Sequence, residues 1–74
     1  MIHGIYLRNR PKNKWQLVSV TDSPESAQHD IDEALRQAKL EGHENAAATF
    51  QTFDSSFYIP QYLDKVKEQK LMYN

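Results

Sequence analysis

Apolar residues recur with a helical period along residues 23–42. Ala27, Ile31, Ala34, Leu35 and Ala38 fall at i, i+4, i+7, i+8 and i+11. That spacing gathers all five on one face of an α-helix and leaves most of the charged residues on the other. Both ends carry boundary signals. Ser23 is suited to cap the first free N–H groups, and Pro24 fits the first turn because its missing N–H has no partner there. Glu25 favours the positive end of the helix dipole, and Gly42 suits the left-handed conformation that closes a helix. A helix over about residues 24–41 follows.

Elsewhere the period is two. Residues 2–8 (IHGIYLR) place His3, Ile5 and Leu7 on one face and Ile2, Tyr6 and Arg8 on the other, which predicts a first strand. Residues 9–13 (NRPKN) have turn chemistry. Residues 15–20 (WQLVSV) are rich in β-branched and aromatic residues and predict a second strand, so the two form a hairpin. Residues 46–53 (AAATFQTF) read as a third strand, because Thr49, Phe50, Thr52 and Phe53 outweigh the helical bias of the alanines and Gly42 has just closed a helix. Pro60 can open a short second helix over about residues 60–69, with Ile59, Tyr62, Leu63 and Val66 as its apolar stripe.

The expected fold class is α+β, a small β-β-α-β-α domain spanning residues 1–74. Strand directions let the third strand pair antiparallel with the first. The result is a three-stranded antiparallel sheet of order 2-1-3, with the long amphipathic helix on one face and a short C-terminal helix. One feature does not suit a two-layer domain. The second strand is apolar on both faces, Trp15 and Leu17 on one and Val18 and Val20 on the other, and Ile2 and Tyr6 add to the face away from the helix. Something must cover that face. The C-terminal segment with Phe57, Ile59, Tyr62 and Leu63 is one candidate, and a protein partner or second copy is the other.

Composition excludes several chemistries. The absence of cysteine rules out a disulfide framework, a thiolate metal site and a cysteine nucleophile, and it suits a reducing compartment. No apolar run reaches the length of a signal peptide core or a membrane span, so the expected location is cytoplasmic. With glycine only at positions 4 and 42, no phosphate-binding glycine loop can be built. No nucleophile and base stand in a recognisable pattern around Ser55 and Ser56.

Charge is uneven along the chain. Residues 1–21 hold four bases and no acid, +4, while residues 22–74 hold five bases and ten acids, −5. Arg8, Arg10, Lys12 and Lys14 alternate and Trp15 follows. On a continuous ribbon they would share one side, where they could follow a phosphate backbone while Trp15 stacks on a base. The competing reading is a solvated hairpin tip that blunts a sheet edge, and the slightly acidic total charge favours it. His29 can face Asp32 and Glu33 on the helix, but too few further ligands accompany them for a metal site, so no metal or other cofactor is expected. The acids Asp30, Asp32, Glu33, Glu41 and Glu44 read as a solvated negative surface.

These features point to a non-enzymatic interaction or self-associating module, with a size and simplicity that suit a small accessory protein of bacteria or phages. Tyr6, Trp15, Val18 and Val20 are its candidate contacts to a protein partner or homodimer. The alternative is a nucleic-acid-binding module using Arg8, Arg10, Lys12, Lys14 and Trp15.

Overall fold

A computed structural model describes residues 1–54 and 59–63. The chain runs β1 (Ile2–Arg8), β2 (Trp15–Thr21), α1 (Pro24–Leu40), β3 (Ala47–Phe53) and β4 (Tyr62–Leu63). The sheet is antiparallel, of order β3-β1-β2-β4. The expected 2-1-3 arrangement therefore forms its centre, and a fourth, two-residue strand is added outside β2. Element ends differ from the sequence reading by a residue, as fraying ends do.

The helix boundaries obey local rules. The Ser23 hydroxyl accepts from the Ser26 N–H at 3.3 Å and donates to a Glu25 carboxylate oxygen at 2.9 Å. At the other end Gly42 has φ 96°, the Gly42 N–H reaches the Lys39 carbonyl at 3.0 Å, and the His43 N–H reaches the Ala38 carbonyl at 3.0 Å. This pair of bonds is the Schellman closure, which satisfies carbonyls that the last helical turn leaves open. Ala27, Ile31, Leu35 and Ala38 are buried and Ala34 is half-buried, as the periodicity requires.

β1 is central because it has a partner on each side and an apolar residue for each face. Ile5 joins Ala27, Ile31, Leu35 and Ala48 in the core under α1, with Leu7, Ala46 and Phe50 packed against it. Burying a side chain such as Ile5 or Ile31 stabilises by about 1.5–3 kcal/mol. His3 lies on this same face, its ring edge-on to Phe50 at 5.5 Å and its Nδ1 hydrogen-bonded to the Thr52 hydroxyl at 3.0 Å. The opposite face carries Gly4, Tyr6 and Leu17.

Two expectations need correction. First, β2 does not keep one period. Ile5 pairs with Ser19 and Tyr6 with Leu17, so Val18 is an extra, unpaired residue. Such a bulge resets the alternation of faces. Val18 consequently borders α1 beside Ala34 and Gln37, whereas Val20 stands opposite Gly4, and the two valines do not share a face. Second, no helix opens at Pro60. Tyr62–Leu63 form a strand, and Gln61 before them lies in a bend. Trp15 pairs with Leu63, Gln16 pairs with Tyr62, and the Leu17 N–H donates to the Gln61 carbonyl at 2.9 Å. Pairing to the edge of β2 outweighed a short apolar stripe, because a short helix is marginal in water without tertiary packing. The rest of the expected helix, and Phe57 and Tyr58, lie outside the described residues.

Candidate interaction edges

The C-terminal segment supplies part of the cover that the back of the sheet required. The side chain of Ile59 lies against Gly4, and the Tyr6 hydroxyl donates to the Pro60 carbonyl at 2.7 Å. Tyr6 is fully buried, and loss of water around its phenol pushes its pKa above the ordinary value of 10.0. Trp15 is only 4% exposed, and the Arg8 guanidinium sits 4.4 Å above its ring centroid. That distance is a cation–π contact. Of the four residues expected to meet a protein partner, Tyr6 and Trp15 are thus covered by the chain itself. Val18 and Val20 remain 49% and 47% exposed.

The basic run does not form one line of charge. Arg8 ends β1, and the Asn13 N–H donates to the Arg10 carbonyl at 3.0 Å, closing a turn over residues 10–13. Pro11 presets the backbone of that turn. The period of two ends where the chain reverses, so Arg10, Lys12 and Lys14 project as an exposed cluster at the hairpin tip while Arg8 is held over Trp15. Arg8, Asn9, Asn13, Lys14, Gln16 and Tyr62 line a shallow cleft of about 220 Å³ at the base of this tip. Trp15, the ring expected to stack on a base, is buried beneath Arg8.

The acids of α1 are partnered along the helix. Gln28 donates to Asp32 at 3.1 Å, Ser19 donates to Asp30 at 2.9 Å, and Arg36 pairs with Glu33. The hydrogen bond and charge of Arg36 hold the Glu33 carboxyl below its ordinary range, and Glu33 in return raises the guanidinium. Glu25 is also lowered, by its own backbone N–H and then by Ser23. His29 Nδ1 lies 3.9 Å from Asp30, and the histidine also adds a minor contribution, after Arg36, to the lowering of Glu33. Among the described residues no group of three or more His, Asp or Glu side chains is placed to hold a metal. No helix among them is long and apolar enough to cross a membrane.

Among the described residues the sheet has two outer edges, β4 and β3. β4 pairs with Trp15 and Gln16 of β2, the Leu17 N–H adds a bond to the Gln61 carbonyl, and the bulge at Val18 comes next. β3 is different. It pairs with β1 through seven consecutive residues without a register shift, from Ala47↔Arg8 to Phe53↔Ile2. Among the described residues no strand pairs with its other side. Its sequence, AATFQTF, has no charge and no proline. Natural edge strands are usually blunted by lysine, proline, a bulge or shortness, and β3 has none of these. β3 is legible in the sequence as a strand, but its place as an interaction edge is not. The absence of charge over residues 46–53 was the available signal. No family model, no curated protein and no solved structure matches this chain.

Proposed function

We propose that this protein is a non-enzymatic interaction module that engages its partner by strand addition at the outer edge of β3. The carrying observation is that edge: seven regular, uncharged residues with no bulge and no proline. Backbone N–H and C=O groups on such an edge supply affinity, and alternate side chains supply selectivity. The burial of Tyr6 and Trp15 moves the contact surface away from the back of the sheet. The bulge at Val18 and the cover by β4 make β2 the poorer template.

Amide hydrogen exchange on the dilute chain tests this reading. Along residues 47–53 the N–H groups facing β1 should exchange slowly and the alternate, outward ones fast. Uniformly slow exchange would mean the chain covers its own edge, and the proposal would fall. A Gln51→Lys variant that stays folded should lose partner capture, because a lysine on the edge opposes pairing.

A further inference from the structure

We infer that the occupant of the β3 edge is a second copy of this chain, paired antiparallel about a two-fold axis through Phe50. The inference rests on the edge reading above and adds the identity of the partner. Its first support is the strand's own complementarity. Pairing β3 with itself in this register sets Ala47 opposite Phe53, Ala48 opposite Thr52, Thr49 opposite Gln51, and Phe50 opposite Phe50. Small side chains meet large ones at both ends, aromatic rings meet at the centre, and no charge opposes a like charge within the strand. A charged peptide would find no counter-charge on this edge.

The second support is the position of Phe50. It packs against the core beneath α1 and is half-buried, on the outermost strand. A two-fold axis perpendicular to the sheet keeps both helices on the same face. The two Phe50 rings then lie together on that face, and the two cores become one. The third support is closure. Isologous pairing uses up β3 in each copy, and among the described residues the far edge of the resulting sheet is β4 (Tyr62–Leu63), which lies outside a bulged neighbour. Such an assembly stops at two copies rather than growing into a fibre.

The experiment is sedimentation of the full chain over a concentration series, paired with amide exchange at each concentration. The apparent mass should rise from 8.7 kDa toward twice that value, and the outward amides of β3 should become protected in step. Gln51→Lys puts two lysines diagonally across the seam, within reach of each other. It should weaken dimerisation at least tenfold while far-UV circular dichroism stays unchanged. Phe50→Cys introduces the sole cysteine of the chain and should form a disulfide-linked dimer on mild oxidation. If that variant does not fold, Gln51→Lys and the exchange pattern decide.

A chain that stays monomeric with open β3 amides overturns the self-pairing and leaves the edge reading standing. A monomer whose β3 amides are already protected overturns both. A dimer that Gln51→Lys does not weaken uses another surface and overturns the inference.

Discussion

Replacing Gly4 with alanine tests how the C-terminal segment is held to the sheet. A Cβ at Gly4 would lie 3.1 Å from Tyr6 Cε1, 3.2 Å from Leu17 Cδ1 and 3.3 Å from Ile59 Cγ2. All three separations are shorter than comfortable carbon–carbon contact. Tyr6 has little freedom to yield, because its hydroxyl is tied to the Pro60 carbonyl at 2.7 Å and its ring is fully buried. Leu17 is fixed by the ladder on one side and by the Gln61 carbonyl on the other. Ile59 is the part able to move, and moving it lifts residues 59–63 from the sheet.

Adding a methyl to a filled site costs about 1–3 kcal/mol. Replacing glycine inside a strand returns about 0.5–1 kcal/mol of backbone entropy. The net cost is about 0–2.5 kcal/mol, and for a chain this small each kcal/mol lowers Tm by about 4–8 °C. The assay is thermal unfolding followed by far-UV circular dichroism and by the emission of Trp15, the sole tryptophan, which lies opposite Leu63. The variant should show a red-shifted Trp15 emission at 25 °C together with the lower Tm. Gly42→Ala is the control. Nothing lies within 4 Å of its Cβ, so its cost comes from the positive φ alone, about 1 kcal/mol, without a tryptophan signal. If Gly4→Ala is as stable as the parent and Trp15 emission is unchanged, Ile59 does not seal this face and the account of the segment is wrong.

Ser23→Ala removes the oxygen that caps Ser26 and should cost about 1 kcal/mol, read as a lower midpoint in urea with an unchanged slope. The raised pKa of Tyr6 means the folded state keeps its phenolic proton longer than the unfolded chain does. Stability is therefore fully present below about pH 10 and falls as pH rises above it. Tm measured from pH 8 to 11 should show that fall, and Tyr6→Phe should flatten it. Glu25 and Glu33 have the opposite sign, adding stability above the ordinary carboxylate range and losing it as pH drops, by a small amount because both are solvent-exposed. Titration with a short single-stranded oligonucleotide at low salt should leave Trp15 emission unchanged, since the ring is buried under Arg8. Saturable quenching that weakens with salt would instead revive nucleic-acid binding at the hairpin.

What the amino-acid sequence determined by itself is the set of local elements. Periods of 3.6 and 2 placed α1 and the three long strands to within a residue. Side-chain caps decided the helix ends, because Ser23 and Gly42 act on backbone groups within a few residues of themselves. The central strand order followed from strand direction together with the preference for antiparallel pairing in a small sheet, given the short hairpin and one returning helix. The tertiary structure decided the rest. The bulge at Val18 arises where β2 must match β1 on one side and α1 on the other, and no local pattern in WQLVSV announces it. Tyr62–Leu63 became a strand because β2 offered unpaired backbone groups, a long-range reward that outweighed local helical bias. The same distant contacts buried Tyr6 and Trp15 and so removed them from the surface on which their composition had placed them. The place of β3 at the edge among the described residues is likewise a property of the assembled sheet, since a strand is an edge only by virtue of where its neighbours lie.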